Sequence, residues 1–188
     1  MVAASAAERF YVSYEDYLAA EQDSPVKHEW LDGVVYAMGG GTLEHSRLAA
    51  NMTSILRAAL AGECVVYTSD ASLYIQATQL STYPDLSVTC GPVEVHRGKR
   101  GVGEAILNPT LVVEVLSDST ESYDRGEKFA HYIRIPSLRE YVLVSQDEPR
   151  IEVYRRPKRG HWHHDVARAG ETLELHGRTI SVDDIYRS

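Results

Sequence analysis

The spacing of apolar residues along the chain changes several times between the helical and the strand period. A long amphipathic helix is predicted between Thr42, a potential N-cap, and Gly62, because apolar residues recur there at helical spacing. Ser13, with an acidic residue three positions on, predicts a short helix that ends near Pro25. Another helix is expected over residues 121–134.

Strands account for most of the remaining pattern. Asp32-Gly33 between two apolar runs predicts a hairpin, and a strand, helix, strand order over residues 111–144 predicts a βαβ unit with a right-handed crossover. The glycine-rich stretch 91–108 is predicted to be a loop. Further strands are expected at residues 64–68, 71–75, 86–88, 151–154, 161–166 and 172–175, the last three as a C-terminal β-meander. We therefore predict an α/β (α+β) fold in which helices flank a mixed β-sheet.

Composition limits the class of protein. With 188 residues and 44% hydrophobic residues, we expect one domain over residues 13–188 after a tail of residues 1–12. The net charge of −8 argues against a broad basic surface for nucleic acid. Cys64 and Cys90 have no CxxC spacing, which favours a reducing cytosol over a disulfide scaffold. No signal peptide or membrane-length apolar run is present in the sequence, so we expect a soluble, cytoplasmic protein.

One acidic residue stands inside a strand that is otherwise apolar. Glu114 lies in Leu111-Val112-Val113-Glu114-Val115-Leu116, a run typical of a strand buried on both faces, and Asp85 opens the apolar strand 86–88. An unpaired carboxylate is costly to bury, so Glu114 requires a cation or a proton. Two such acids indicate a metal site of the kind that Mg²⁺ forms with one or two carboxylates. Lys128 is the best-placed lysine, because its helix is expected to pack over the strand of Glu114.

These segments together resemble a known family. The motifs are Tyr14-Glu15-Asp16-Tyr17, Glu29-Trp30-Leu31-Asp32-Gly33, Glu44-His45, Tyr83-Pro84-Asp85, the Glu114 strand with Ser117, Asp124 to Lys128, and Tyr141-Val142-Leu143-Val144. Their order and spacing are similar to those of the Uma-type restriction endonuclease family, a branch of the PD-(D/E)XK nuclease superfamily. The likeness runs from about Tyr14 to the C-terminus.

The resemblance implies a restriction-endonuclease-like core and a metal-dependent endonuclease acting on DNA. In it, Asp85 and Glu114 would bind Mg²⁺ or Mn²⁺, and Lys128 would take the place of the strand lysine, since Leu116 fills the usual lysine position. Glu29 would have a metal or water-positioning role, and His45 a phosphate or proton-transfer role. Exposed hairpin edges also suggest a homodimer.

Simpler roles remain open for each of these residues. Glu114 could pair with a buried Lys or Arg, and Asp85 could cap a strand. Lys128 could form an exposed i,i+4 pair with Asp124. Glu29 and His45 could face solvent. The whole chain could be a non-catalytic module that binds nucleic acid or protein, or a hydrolase of small phosphoesters.

Two other segments have weaker chemical signals. Gly39-Gly40-Gly41 before a helix could cradle a phosphate, but it lacks the spacing of a nucleotide loop and is more typical of a connector. The basic segment 155–164 could contact a nucleic-acid backbone or be a charged hairpin tip.

Overall fold

The structure, a computed structural model, describes residues 11–188 apart from Arg159, with the Arg100 side chain also left out of the description. It is a mixed α+β fold in which helices flank β-sheets, as predicted. The helices are α1 (Tyr14–Gln22), α2 (Leu43–Ala59), α3 (Glu121–Tyr123), α4 (Phe129–Tyr132) and α5 (Val182–Tyr186). Within the described residues, no helix is long and apolar enough to cross a membrane.

Two six-stranded sheets and one ribbon contain the described strands. The first sheet has the order β2-β1-β5-β4-β8-β7, from β1 (His28–Leu31), β2 (Val34–Ala37), β4 (Leu73–Ile75), β5 (Leu80–Thr82), β7 (Val95–Arg97) and β8 (Glu104–Ile106). The second has the order β12-β11-β10-β9-β6-β3, from β3 (Cys64–Thr68), β6 (Leu86–Cys90), β9 (Leu111–Val115), β10 (Glu140–Val144), β11 (Arg150–Arg155) and β12 (His163–Arg168). The ribbon pairs β13 (Thr172–Leu175) with β14 (Arg178–Ser181).

Strand β9 is buried along its whole length, as its apolar sequence predicts. Its alternate side chains enter two different cores. Leu111, Val113 and Val115 pack with α2 and α5, whereas Val112 packs on the other face, with Tyr132 and the first sheet. Glu114 lies two positions after Val112 in the strand, so its side chain points to the same face, toward Tyr132 and the first sheet. The predicted βαβ unit is present, because β9 and β10 pair in parallel.

The predicted caps and turn are also present. Ser13 and Thr42 accept backbone N–H groups at the starts of α1 and α2. The hairpin turn places Asp32 and Gly33 at positive φ, a conformation that glycine adopts without steric cost. Val12, which we had assigned to the tail, donates its N–H to the Gly33 carbonyl at 2.9 Å.

Several element predictions were wrong. The stretch 91–108 is not a plain loop, because it contains β7 and β8, which pair across a 3₁₀ turn. Strand β5 was missed, and it completes a hairpin with β4. Strand β13 does not extend the meander, since it pairs only with β14, which was also missed. Short strands of three or four residues have too few positions to show a period.

The interpretation of the cysteines was also wrong. Cys64 and Cys90 form a disulfide between β3 and β6. The two residues stand directly opposite each other in the antiparallel register of these strands. Their separation of 26 residues hides this contact in the sequence, because only the strand register brings them together.

Candidate active site

Strands β6 and β9 part at the point where the two conspicuous acids lie. Their register pairs Leu86 with Val113 and would next pair Asp85 with Glu114. Side chains bridge the strands there instead. The Asp85 N–H donates to Glu114 Oε2 at 3.2 Å, and the Val115 N–H donates to Asp85 Oδ2 at 2.7 Å. The two carboxylates therefore lie next to each other in the opening between the strands.

The buried Glu114 carboxylate has a cation and a hydroxyl beside it, in addition to the Asp85 N–H. Its Oε1 lies 2.9 Å from Lys128 Nζ and accepts the Tyr132 hydroxyl at 2.7 Å. Burial raises the pKa of the Glu114 carboxyl to about 8, because desolvation outweighs the attraction of the Lys128 ammonium, and the charges of Asp124 and Asp85 add to the rise. Glu114 is therefore a carboxyl group that needs a cation to remain ionised.

Lys128 extends toward the acids from the irregular helical segment between α3 and α4. A π-helical turn over Asp124–Lys128 joins α3 to α4. The ammonium lies 3.4 Å from Glu29 Oε1 and 3.6 Å from Asp124 Oδ1, in addition to its contact with Glu114. Burial opposes its charge, but the three carboxylates raise the pKa of Lys128 above its ordinary value. The i,i+4 pair with Asp124 exists but is buried, so the exposed-pair alternative is wrong.

Glu29 is also part of this cluster rather than in solvent. It lies in β1 and is 9% exposed. Its Oε1 accepts the Thr82 hydroxyl, and its Oε2 accepts the Tyr123 hydroxyl at 3.0 Å. Burial raises the pKa of Tyr123, and the charge of Glu29 adds to this effect, so the hydroxyl remains a donor. These bonds fix Glu29 beside the ammonium of Lys128.

His45 approaches Asp85 from the first turn of α2. Thr42 caps that turn by accepting the His45 N–H at 3.0 Å. The imidazole Nε2 lies 3.0 Å from Asp85 Oδ2, and about a fifth of the His45 side chain is exposed. The hydrogen bond with Asp85 raises the pKa of His45, although burial works against it. The structure thus places the His45 imidazole beside Asp85 at the edge of the acid cluster.

All five predicted site residues border a single cavity of about 730 Å³. Its walls come from β1, β2, the Gly39–Gly41 segment, the start of α2, the residues just before β6, the end of β9, and the α3 segment. Ser117, Gln146 and Asp147 complete the rim. The fold brings these residues together from positions far apart in the sequence.

Several members of the site were not predicted. Tyr132, Tyr123 and Thr82 hold the carboxylates through their hydroxyls, and no motif marks them in advance. Asp124 was noted as an end of the family motif Asp124 to Lys128 and as a possible partner of Lys128, but it was given no role in the site. It is 3% exposed, and burial raises its pKa. Its four-residue spacing from Lys128 is equally typical of a surface pair.

The basic segment near residue 160 lies elsewhere and is largely engaged. Arg155 pairs with Asp165 and Glu140, while Arg156 donates to backbone carbonyls and stacks over Trp162. His164 pairs with Glu152 at 2.9 Å. Arg159 lies outside the described residues. Arg155 and His164 therefore have acidic partners, whereas Arg156 keeps its charge beside backbone carbonyls and Trp162.

A known protein family matches most of the chain. The model of the Uma2 family, described as a putative restriction endonuclease, matches residues 14–182. The chain belongs to the Uma2 family. The Uma2 match covers every residue of the acid cluster and every wall of the cavity.

Relatives and a solved structure extend the likeness. Two uncharacterised proteins of Synechocystis sp. are similar to this Uma2 protein. One is 41% identical, with 94% of this chain and 92% of the relative aligned, and the other is 30% identical, with 78% and 82% aligned. A crystal structure from Anabaena variabilis, titled a putative nuclease belonging to DUF820, superposes with a TM-score of 0.69 at 16% identity. It covers 87% of this chain and 91% of its own, so the nuclease-like fold is shared.

The donor set fits a hard divalent cation that retains water. Mg²⁺ takes oxygen ligands in an octahedron and commonly has only one or two protein carboxylates. Asp85 and Glu114 supply that number, and both residues line the cavity. Among the described residues, no group of three or more His, Cys, Asp or Glu side chains is arranged to enclose a metal. The site thus suits an ion that also binds water or substrate oxygens.

Proposed function

We propose that this Uma2-family protein is a Mg²⁺- or Mn²⁺-dependent endonuclease that hydrolyses DNA phosphodiester bonds. The observation that carries the proposal is that Asp85 and Glu114 lie side by side in the lining of one cavity, with Lys128 Nζ at 2.9 Å from Glu114. Asp85 and Glu114 would hold the ion, which when bound polarises the phosphate and the attacking water.

The residues of the chain have separate tasks in this proposal. The backbone N–H groups of Asp85 and Val115 hold the two carboxylates in place, so the ion site is formed before substrate arrives. Lys128 balances the charge of Glu114, Glu29 and Asp124 and can orient a water beside them. Tyr123 and Thr82 fix Glu29 as a positioning residue.

His45 supplies the proton chemistry at the open side of the site. Its raised pKa keeps a larger share of the imidazole protonated near neutral pH, so it can contact a phosphate oxygen or give a proton to the leaving oxygen. Asp85 orients the ring through Nε2. We therefore expect Asp85 to act both as a metal ligand and as the partner that aligns His45.

Incubation of plasmid and single-stranded DNA with the protein and Mn²⁺ or Mg²⁺ tests the proposal. Wild type should cleave DNA, and a chelator should stop cleavage. Asp85→Asn and Glu114→Gln should fall to the level measured with the chelator. Glu127→Gln is the matched control, because Glu127 is exposed and adjoins Lys128 but does not line the cavity.

Two outcomes would contradict the proposal. One is the absence of cleavage by a folded wild-type protein, and the other is equal cleavage by wild type and both acid variants. DNA binding without cleavage, unchanged by loss of both acids, would instead identify a non-catalytic binding module. Hydrolysis of nucleotides but not of polymers would identify a small-molecule phosphoesterase.

A further inference from the structure

One aromatic ring of the cavity has no structural task. Tyr36 in β2 stands directly opposite Glu29 in the antiparallel register of β1 and β2. Directly opposed residues place their side chains on the same face of a sheet, so Tyr36 shares the face of the acid cluster. It lines the cavity, yet the residue is 47% exposed. Among the described residues, its ring packs with no other aromatic ring and its hydroxyl has no hydrogen-bond partner.

The other tyrosines at the cavity are already engaged. The Lys128 ammonium lies 5.9 Å from the centre of the Tyr123 ring, and the Lys27 ammonium lies 5.5 Å from the centre of the Tyr83 ring. Among the described tyrosines of the cavity, Tyr36 is therefore the one whose ring faces no cation. A tyrosine exposed in a cleft costs hydrophobic free energy in water, and a flat ligand that covers it recovers that free energy.

The charge of the walls decides which nucleic acid suits this cleft. Among the described residues of the cavity, Lys128 is the only lysine or arginine, and it is buried among carboxylates. Arg47 and Arg125 are paired with the cavity residues Glu44 and Glu121 at 2.5 and 2.7 Å. The acidic residues of the walls are Glu29, Glu44, Asp85, Glu114, Asp118, Glu121, Asp124 and Asp147.

Such walls are a poor match for duplex DNA. A duplex presents two phosphate rows and is held mainly by lysine and arginine side chains that displace its counterions. A single strand has fewer charges per length and exposes base faces, and stacking of one base on an aromatic ring contributes about 1–3 kcal/mol. The first cavity offers a ring and an ion site, and its one lysine is buried among carboxylates.

The cleft continues into a second cavity. This cavity has a volume of about 610 Å³ and shares His45, Tyr83, Asp85 and the Gly39–Gly41 segment with the first. Its one described lysine, Lys27, is paired with Asp70 at 2.7 Å. A strand lying along the two cavities would pass its phosphate over the acids while one base meets Tyr36.

We infer that the cleft takes an unpaired DNA strand, with one base stacked on the ring of Tyr36. This inference rests on the proposed nuclease function and adds its substrate class. It makes Tyr36 a binding residue that sets the preference for unpaired over paired DNA. The phosphate next to the stacked base then lies at Asp85 and Glu114.

Fluorescence anisotropy with a labelled oligothymidylate and a labelled hairpin duplex of equal phosphate number tests the inference, with Ca²⁺ as the ion. Wild type should bind the single strand about tenfold more tightly than the duplex. Tyr36→Ala should weaken single-strand binding about tenfold, and Tyr36→Phe should keep it within about twofold, since the ring face carries the contact. Tyr11→Ala is the matched control, because Tyr11 is exposed but does not line either cavity.

Equal or tighter binding of the duplex would overturn the inference, as would Tyr36→Ala binding that matches wild type. Loss of binding in both Tyr36→Ala and Tyr36→Phe would also overturn it, since the face of the ring would then not be the contact. Cleavage is measured separately. Metal-dependent cutting of duplex in preference to single strands leaves the nuclease proposal standing and removes only this inference. Tyr36-dependent binding of single strands without any cutting supports the binding inference and contradicts the nuclease proposal.

Discussion

At the scale of single residues, the chemistry of the site could be predicted better than its details. A glutamate inside a fully apolar strand demands a cation or a proton, and Glu114 has a lysine partner and a pKa raised to about 8. The identity of its third partner, the Tyr132 hydroxyl, could not be predicted, because tyrosine is also an ordinary core residue. The proposed roles of the five site residues stay predictions until activity is measured.

Loss of the Lys128 side chain should lower the free energy of unfolding as well as the cleavage activity. Lys128→Met leaves Glu114, Glu29 and Asp124 without their shared cation, and uncompensated buried charges cost about 3–5 kcal/mol. Guanidinium denaturation in the absence of metal measures this loss. Lys99→Met, at an exposed position, should change the free energy of unfolding by less than about 0.5 kcal/mol. Equal stability of the two variants would show that the buried charges are compensated otherwise.

Glu152 should make stability depend on pH in the acid range. Hydrogen bonds from Arg125, at 2.7 and 2.9 Å, lower its pKa below the ordinary 4.5, against the opposing effect of burial. A carboxylate with a depressed pKa stabilises the fold above the unfolded-state pKa, and this stabilisation is lost as pH falls through the folded-state pKa.

Glu152→Gln should therefore lower the free energy of unfolding at neutral pH by about 1.5–3 kcal/mol. The difference from wild type should shrink as pH falls below 4.5, where the unfolded chain gains the proton first, and it should be lost below the lower folded-state pKa. Urea denaturation of both proteins across this range gives the two curves. A difference that does not change with pH would contradict the role given to the Arg125 pair.

At the scale of elements, the long periodic segments were predictable and the short or irregular ones were not. Helix α2 and strand β9 have enough positions to show their period and were predicted closely. The π-helical turn at Asp124–Lys128 has no sequence signature, so the expected helix was drawn as regular. Strands β7 and β8 follow from pairing partners that the local sequence does not reveal.

Gly126 lies inside this π-helical turn and offers a test of its backbone. A Cβ there would meet nothing within 4 Å, and its φ is not positive. Gly126→Ala should raise the free energy of unfolding by about 0.4–1 kcal/mol, because it restricts the unfolded chain without native strain. Thermal and urea unfolding measure the change.

Gly33→Ala is the contrasting substitution and should destabilise the protein. Gly33 has φ +90°, and an added Cβ would overlap the ring of Tyr11. The loss should exceed about 1 kcal/mol. If both alanine variants moved stability in the same direction, local backbone conformation would not be the cause.

At the scale of the whole molecule, topology joins residues whose relation is invisible along the chain. The order of the second sheet places β3 beside β6, and this neighbourhood alone creates the Cys64–Cys90 pair. The family resemblance helped at this scale, because it implied the nuclease core that local patterns could not establish. The homodimer stays a prediction, which sedimentation equilibrium of the full chain can test.

The disulfide should stabilise the fold without serving the site. It closes a loop of 26 residues at the edge of the second sheet, and the entropy of such a closure is worth about 2–4 kcal/mol. Replacing both cysteines by serine should lower the free energy of unfolding by that amount and leave cleavage per folded molecule unchanged. A reductant should lower wild-type stability similarly and have no effect on the double variant. Unchanged stability in both experiments would contradict this assignment.

The hairpin of β1 and β2 has a further consequence for how this protein can change over time. Glu29 and Tyr36 reach the cavity from opposed positions, whereas Trp30 and Val35 point the other way. Insertion of one residue within either strand would turn the following side chains to the opposite face. One insertion would then remove both the proposed base contact of Tyr36 and the positioning of Glu29. We therefore expect tolerated length changes to be confined to the turn itself, so that the two contacts are inherited as a unit.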